Sequence, residues 1–134
     1  MTEKELCRLA IKNMKNAYAP YSNFKVGAAL LTKSGKVFSG ANVENASYSA
    51  TICAERTAFC TAIVEGEKEF TAIAIAGGKG GCLTKITPPC GICLQFMSEF
   101  CDNDFKILLL QNEENYKTYT LGDFLPNSFK MEKQ

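Results

Sequence analysis

Two short cysteine-bearing segments constrain this chain more than any other part of its sequence. The first is Cys53-Ala54-Glu55-Arg56, and the second is Pro89-Cys90-Gly91-Ile92-Cys93. Cys90 and Cys93 are three residues apart, so they share one face in the first turn of a helix, and the prolines before them suit a helix entry. The chain contains no histidine, which excludes Ser-His-Asp and Cys-His nucleophilic schemes and every His-ligated metal site.

Three thiols beside one carboxylate predict a zinc site with an open coordination position. Zinc takes four tetrahedral ligands, and a catalytic site leaves one position to water; Cys53, Cys90 and Cys93 would supply the other three. Glu55 lies two residues after Cys53, roughly 200° around an ideal helix. At a helix start, however, side chains lean toward the N-terminus, and both can reach a metal beyond the end. The spacing therefore predicts a zinc ion held at two helix N-termini.

The charge of such a site needs to be balanced. Three thiolates on Zn²⁺ leave one net negative charge, and each helix N-terminus contributes about half a positive charge. We expect Arg56 to donate hydrogen bonds to a thiolate; the alternative is a surface salt bridge. We expect Glu55 to be the catalytic proton shuttle and not a ligand; the alternative is an ordinary first-turn glutamate favoured by the helix dipole.

A closed structural zinc site is the main rival to this interpretation. It would need a fourth ligand, and Cys82, in a glycine-rich loop eight residues before Cys90, is the credible one. A carboxylate at position 55 would have no purpose in such a site, so Glu55 favours the catalytic interpretation.

Composition narrows the class of protein further. The chain has 134 residues, which predicts one domain over residues 1–134. Its net charge is +1 and no basic run is present, so we expect no nucleic-acid partner. No apolar stretch approaches about 18 residues, so no membrane span is expected. Seven cysteines in a chain whose start lacks a secretory pattern predict metal or catalytic roles in the cytoplasm and not disulfides.

Hydrophobic periodicity predicts an α/β fold. A helix begins after Thr2, where Thr2 and Glu5 suggest a capping box. The predicted strands are 24–32, 37–43, 70–76, 106–111 and 116–120, and the other predicted helices are 52–65 and 91–101. Strand-helix-strand units favour parallel neighbours. We therefore expect a three-layer α/β/α domain with a five-stranded mixed sheet.

The sequence resembles a known enzyme family. A Cys-Ala-Glu segment followed by Pro-Cys-x-x-Cys is the zinc-deaminase signature in its three-cysteine form. The likeness extends to Asn23-Phe24-Lys25-Val26-Gly27, Asn42-Val43-Glu44-Asn45-Ala46-Ser47-Tyr48 and Cys53-Ala54-Glu55-Arg56-Thr57-Ala58. These segments are similar to the small homotetrameric cytidine deaminases of nucleoside salvage, and the similarity covers residues 17–129.

The resemblance implies one zinc ion per subunit and a nucleoside site shared between subunits of a homotetramer. It also implies a set of substrate-binding residues: Phe24, Asn42, Val43, Glu44, Ala54 and Phe129. Asn42 and Glu44 would bind the sugar and Phe24 would pack on the pyrimidine ring. Phe129 would reach a neighbouring subunit's site. One departure is Leu94, where the family often has arginine.

The expected activity is hydrolytic deamination of cytidine and 2′-deoxycytidine to uridine and 2′-deoxyuridine with release of ammonia. In this mechanism Glu55 protonates N3 of the base and then the departing ammonia. The alternatives are deamination of a modified cytosine nucleoside such as blasticidin S, and a zinc-stabilised module without activity.

Overall fold

The computed structural model describes residues 1–134 and contains four α-helices, five β-strands and two short 3₁₀ turns. The helices are α1 (Glu3–Asn13), α2 (Ala54–Val64), α3 (Gly91–Phe100) and α4 (Leu121–Phe124), and the 3₁₀ turns are Met14–Asn16 and Tyr48–Ala50. The strands are β1 (Phe24–Thr32), β2 (Val37–Ala41), β3 (Phe70–Lys79), β4 (Lys106–Leu110) and β5 (Tyr116–Thr120).

The strands form one mixed sheet in the order β2-β1-β3-β4-β5. The β3–β4 pair, joined through α3, is parallel, and the other pairs are antiparallel. A parallel pair needs a crossover connection, whereas β1 and β2 are joined by a short turn. The predicted five-stranded mixed sheet is confirmed.

Helices cover both faces of this sheet, as the three-layer prediction requires. On one face the buried Leu6 and Ala10 of α1, together with Met14 of the following 3₁₀ turn, pack against alternate residues of β1, β3 and β4. On the other face α2 and α3 enclose a second core around Phe59 and Met97. Period-2 alternation along the strands divides their side chains between the two cores. No helix of the chain is both long and apolar enough to cross a membrane.

The helix ends follow the predicted signals in part. The Thr2 hydroxyl accepts a hydrogen bond from Glu5 N at 3.1 Å, but the exposed Glu5 side chain makes no return bond to Thr2 N. A reciprocal capping box forms instead between Thr120 and Asp123 at the start of α4. Gly66 follows α2 with a φ of +96°, as expected for a glycine after a helix C-terminus.

Strand β3 is longer than the sequence predicted. It continues through Gly77 and Gly78 to Lys79, because these residues pair with Phe24, Lys25 and Val26 at the start of β1. Adjacent glycines are poor indicators of a strand interior, which explains the shorter prediction. At the other edge β2 ends at Ala41, and not at residue 43.

The N-terminal turn of α2 lies directly against β2, and Gly40 makes this possible. A Cβ atom at Gly40 would lie 2.1 Å from Ala54 O and 2.8 Å from Ala58 Cβ. A glycine in a strand interior often marks such a close approach of another backbone. It brings the first turn of α2 to the end of β2, which is where the functional residues are concentrated.

Candidate active site and metal centre

Three sulfur atoms converge at the N-termini of α2 and α3. Cys53 is the N-cap residue of α2 and Cys90 the N-cap residue of α3, while Cys93 lies in the first turn of α3. The distance from Cys53 Sγ to Cys90 Sγ is 3.8 Å, and that from Cys90 Sγ to Cys93 Sγ is 3.5 Å. The two segments that the sequence singled out thus meet at two helix N-termini, as their spacing predicted.

The three sulfurs fit a zinc ion. With Zn–S bonds of about 2.3 Å and tetrahedral angles, neighbouring sulfurs should be separated by about 3.8 Å. All three sulfurs lie within 4.8 Å of one another, and no fourth Cys, Asp or Glu ligand joins them. Cys82, the proposed closing ligand of a structural site, is exposed and outside this group. The donor set therefore leaves one tetrahedral position to solvent or substrate.

The three thiols and Arg56 interact with one another. Hydrogen bonding with Cys93 and with Arg56 lowers the pKa of Cys53 to about 5, against the opposing effect of burial. The pKa of Cys93 is raised, first by its hydrogen bond with Cys53 and then by burial. These hydrogen bonds favour the thiolate form of Cys53, which is the form that ligates zinc.

Arg56 lies beside the thiolates. Its Nη2 donates to Cys53 Sγ at 3.6 Å and to Thr51 O at 3.4 Å. None of the three salt bridges of the chain involves Arg56, so the surface salt bridge considered above does not form. The Arg56 Nε atom is buried and has no hydrogen-bond partner. Its position next to Cys53 places a fixed positive charge against the sulfur cluster.

Glu55 is buried within this cluster, with 5% of its surface exposed. Burial raises the pKa of its carboxyl group to about 7, with a further contribution from the negative charge of Cys53. A glutamate that served only to complement the helix dipole would have no need to be buried, since such residues are normally solvated. The burial of Glu55 therefore points to a chemical role.

A cavity of about 220 Å³ opens onto this cluster. Its lining residues come from β1, the residue after β2, the segment that leads into α2 with the first turn of that helix, and the segment before α3. They are Val26, Asn42, Thr51, Cys53, Ala54, Glu55, Thr87, Pro88 and Cys90. A larger cavity of about 760 Å³ lies beside α1, but it contains none of the three clustered thiols. Chemistry, and not size, identifies the smaller cavity as the candidate site.

Asn42 and Glu44, which the resemblance assigned to the sugar, both make contacts with the loop and strand before the site. Asn42 accepts from Val26 N and donates to Phe24 O, each at 2.8 Å. Glu44 accepts from Tyr21 N at 2.9 Å and from Ser22 N and Oγ, and the Ser22 hydroxyl in particular lowers the pKa of its carboxyl group. Asn42 lines the cavity and Glu44 does not.

The other residues that the resemblance assigned to substrate lie at varying distances from the cavity. Ala54 is fully buried and lines it. Phe24 begins β1, with its ring near Gly77, and is not among the lining residues. Val43 is 45% exposed and bridges to Ile52. Phe129 is 69% exposed, and its carbonyl oxygen accepts from Gln95 Nε2 of α3 at 2.9 Å.

Four lining residues were not anticipated: Val26, Thr51, Thr87 and Pro88. Val26 lies two residues after Phe24 on the same face of β1, so the period of the strand could have indicated it. Thr51, Thr87 and Pro88 belong to irregular segments, for which hydrophobic periodicity gives no signal. Leu94, the departure from the expected arginine, is buried in the core between α2 and α3.

The fold has three α/β/α layers, and it presents three thiols and a buried glutamate at two helix N-termini. These features define the class of the protein as a zinc-dependent hydrolytic enzyme. The family described as "Cytidine and deoxycytidylate deaminase zinc-binding region" matches residues 1–109. The chain therefore belongs to the cytidine and deoxycytidylate deaminase family. It is a deaminase enzyme with zinc as its cofactor.

Relatives along the whole chain agree with this assignment. The chain is 43% identical over 132 residues to the cytidine deaminase of Halalkalibacterium halodurans, and the alignment covers 98% of this chain and 97% of that protein. It is 38% identical to the cytidine deaminase of Sporosarcina psychrophila, over 98% of this chain and 94% of that protein. The crystal structure of cytidine deaminase from Burkholderia pseudomallei superposes with a TM-score of 0.88 and 44% identity, covering 96% of this chain and all of that one.

Proposed function

We propose that this enzyme hydrolyses cytidine and 2′-deoxycytidine to uridine and 2′-deoxyuridine with release of ammonia, in pyrimidine salvage. The observation that carries this proposal is the burial of Glu55 beside three clustered sulfurs at one cavity. The names of the relatives at 38–43% identity over nearly the full chain support the choice of substrate. The sequence region that carries the zinc-binding family match contains every one of these groups.

The proposed mechanism divides the chemistry between the metal and the protein. Cys53, Cys90 and Cys93 would hold one zinc ion per subunit, and the ion would supply the Lewis acidity that activates water for attack on the base. Glu55 accepts a proton from the attacking water and delivers it to N3 of the base. It then takes the second proton of that water from the hydroxyl at C4 and transfers it to the amino group, which leaves as ammonia while C4 becomes a carbonyl. A positioned acid–base group of this kind contributes about 10²–10⁴ in rate. The burial of Glu55 excludes bulk water from its carboxyl group during these transfers.

The remaining residues bind and orient the nucleoside in this proposal. The backbone of Ala54 contacts the base, and Asn42 and Glu44 bind the ribose hydroxyls, which call for paired donors and acceptors. The Asn42 amide still has one free N–H and one free lone pair after its two bonds to β1. Phe24 packs on the pyrimidine ring, and Val43 contributes to the wall of the nucleoside site. Arg56 stabilises the Cys53 thiolate.

We also propose that residues 1–134 form one catalytic domain that assembles into a cytoplasmic homotetramer with shared active sites. Exposed apolar side chains on α3 and in the C-terminal tail support this assembly, since Ile92 is 66% and Phe129 is 69% exposed. Aromatic side chains are enriched at interaction surfaces. Phe129 of one subunit would then complete the nucleoside site of another.

The proposal is tested by an ammonia-release assay with a substrate panel: cytidine, deoxycytidine, cytosine, dCMP and blasticidin S. We expect turnover of the first two, and a zinc-loaded, folded sample that deaminates neither would refute the proposal. Preference for blasticidin S would identify the modified-nucleoside activity instead. Glu55→Gln should retain zinc and lose about 10²–10⁴ in kcat, whereas Glu65→Gln, an exposed exchange at the end of α2, should behave as wild type.

A further inference from the structure

The Thr57 hydroxyl joins the two elements that carry the proposed nucleoside site. It accepts a hydrogen bond from Ala41 N at 3.0 Å. Its hydrogen lies within reach of two carbonyl oxygens, Ala54 O at 2.9 Å and Ala41 O at 3.1 Å. Ala41 is the last residue of β2, and Ala54 is the first residue of α2. One side chain thus connects the end of the edge strand to the first turn of the helix.

The residues next to these contacts are those that would touch substrate. Asn42 follows Ala41 directly, and Glu55 follows Ala54. On its other side Asn42 is bonded to β1 through Val26 N and Phe24 O. The end of β2 is therefore held from both sides: Asn42 bonds to β1, and Thr57 bonds Ala41 to α2.

Close packing at Gly40 makes this junction short. The missing Cβ atom brings Ala54 O against β2, so the Thr57 hydroxyl reaches both backbones without an intervening group. Ala41 N points to the open edge of the sheet, where no further strand pairs with it. Thr57 supplies the partner that a neighbouring strand would otherwise provide.

We infer that Thr57 is a positioning residue that fixes Glu55 and the Ala54 backbone, which act on the base, relative to Asn42, which binds the sugar. This inference rests on the proposed nucleoside deaminase function. Thr57 does not touch the substrate; it acts through the relative placement of the two halves of the site. A misplacement of about 1 Å can cost about 10²-fold in rate, so the loss of this link should be visible in catalysis.

The test compares Thr57→Val, which removes the hydroxyl and keeps the shape, with Thr57→Ser, which keeps the hydroxyl. The matched control is Thr61→Val, because Thr61 lies one turn further along α2 and is exposed. Its hydroxyl donates only to Thr57 O, at 2.8 Å. Each variant is assayed as zinc-loaded, full-length protein on cytidine and on 2′,3′-dideoxycytidine, which lacks the 2′- and 3′-hydroxyls of the sugar. Zinc content and Tm are measured on the same samples.

We expect Thr57→Val to lose roughly 10- to 100-fold in kcat/KM on cytidine. Its loss on dideoxycytidine should be smaller, because that substrate makes less use of the sugar-binding half of the site. The ratio of kcat/KM on cytidine to kcat/KM on dideoxycytidine should therefore decrease. Thr57→Ser should restore both the rate and the ratio, and Thr61→Val should leave both at wild-type values. Should Thr57→Val prove insoluble, Thr57→Ala serves the same comparison.

Three results would overturn the inference: an unchanged cytidine rate in Thr57→Val, equal losses on both substrates, or a serine variant as impaired as the valine variant. Equal losses with a lowered Tm would mean that Thr57 contributes only to folding. If the wild-type enzyme itself fails to deaminate cytidine, the proposed function fails, and that outcome is distinguishable because it requires no variant.

Discussion

At the scale of single residues, the balance of charge around the sulfurs governs how the metal centre is held. Arg56 Nη2 lies 3.6 Å from Cys53 Sγ, while its Nε is buried without a partner. A buried, unpaired donor is costly, whereas the hydrogen bond from Nη2 to Cys53 Sγ favours the charged guanidinium and raises the pKa of Arg56. The arginine that the sequence predicted as a thiolate partner is thus placed for that role.

We predict that Arg56→Gln weakens zinc binding by about 10- to 100-fold, as is usual when a partner of a metal ligand is removed. The measurement is competition with a chromophoric chelator, monitored by zinc release. Arg8→Gln, an exposed substitution on α1, is the control for the loss of one positive charge. Zinc affinity equal to wild type in Arg56→Gln would show that the helix N-termini alone balance the thiolates.

At the scale of elements, the site depends on the contact between α2 and β2. Gly40 is a position in β2 where the backbone of the helix occupies the place of a side chain. Glycine weakens a strand interior, so its presence here indicates that the close approach matters more than the propensity of the strand.

We predict that Gly40→Ala lowers Tm and activity together, because the added methyl group must displace the first turn of α2. Overpacking of this kind typically costs about 1–3 kcal/mol. Thermal unfolding followed by circular dichroism measures the first effect, and the cytidine assay measures the second. Ser39→Ala changes an exposed neighbour on the same strand and should leave Tm within experimental error of wild type. A Gly40→Ala protein with wild-type Tm would mean that α2 can shift freely.

A second element contact joins the start of α1 to the β4–β5 edge of the sheet. Glu3 accepts from Tyr116 Oη at 2.9 Å and from Lys106 Nζ at 3.1 Å. These two hydrogen bonds, with that of Tyr116 the larger, hold the pKa of the Glu3 carboxyl group below its ordinary value of 4.5. The carboxylate form is therefore favoured in the folded protein.

We predict that Glu3→Gln lowers the free energy of unfolding at neutral pH by about 0.2–1 kcal/mol, because the ion pair is partly exposed. The stabilisation by Glu3 is fully present above pH 4.5, the ordinary pKa, and is lost as the pH falls through the lowered folded value. Urea unfolding of both proteins at pH 7 and at pH 3 measures the difference, which should shrink at the lower pH. Glu5→Gln, in the same helix turn, is the control, and an undiminished difference at pH 3 would contradict the assignment.

At the scale of the whole molecule, the C-terminal tail lies along α3 and presents an aromatic side chain to solvent. Gln95 and Lys130 tie the tail to the helix through Phe129 O and Ser98 O at 2.9 and 3.0 Å. The Phe129 ring is left outside the chain's own core. A fixed, exposed aromatic side chain suits contact with another subunit.

We predict that Phe129→Ser lowers kcat/KM on cytidine by about tenfold, since a buried aromatic contact is worth roughly that much. The Phe129→Ser variant should still elute as a homotetramer in size-exclusion chromatography with light scattering, with four times the 14.7 kDa mass of one chain. Met131→Ser, which alters an equally exposed side chain of the same tail, should retain full activity. A monomeric wild type, or a fully active Phe129→Ser, would exclude the shared site.

Much of the fold and of the metal centre was predictable because their signals are local. Cys90 and Cys93 share a helix turn by their spacing alone. Glu55 is close to Cys53 in any fold, because the two residues are only two positions apart. The alternating pattern of 116–120 gave β5 its observed bounds. The contacts of Asn42 with β1 and of Glu44 with Ser22 were not predictable, because they join residues about 20 positions apart in sequence.

The sequence by itself determined which atoms could hold a metal, since a chain without histidine but with Cys53 and a Cys-x-x-Cys pair offers thiolates. Residue spacing also determined that helix starts must carry them. Only the tertiary structure decided that the three sulfurs meet within 4.8 Å, that Cys82 stays outside, and that Glu55 is buried beside them. The physical reason is that burial and proximity depend on how α2 and α3 pack on one sheet, and this packing is set by close contacts such as that at Gly40, which no local pattern contains.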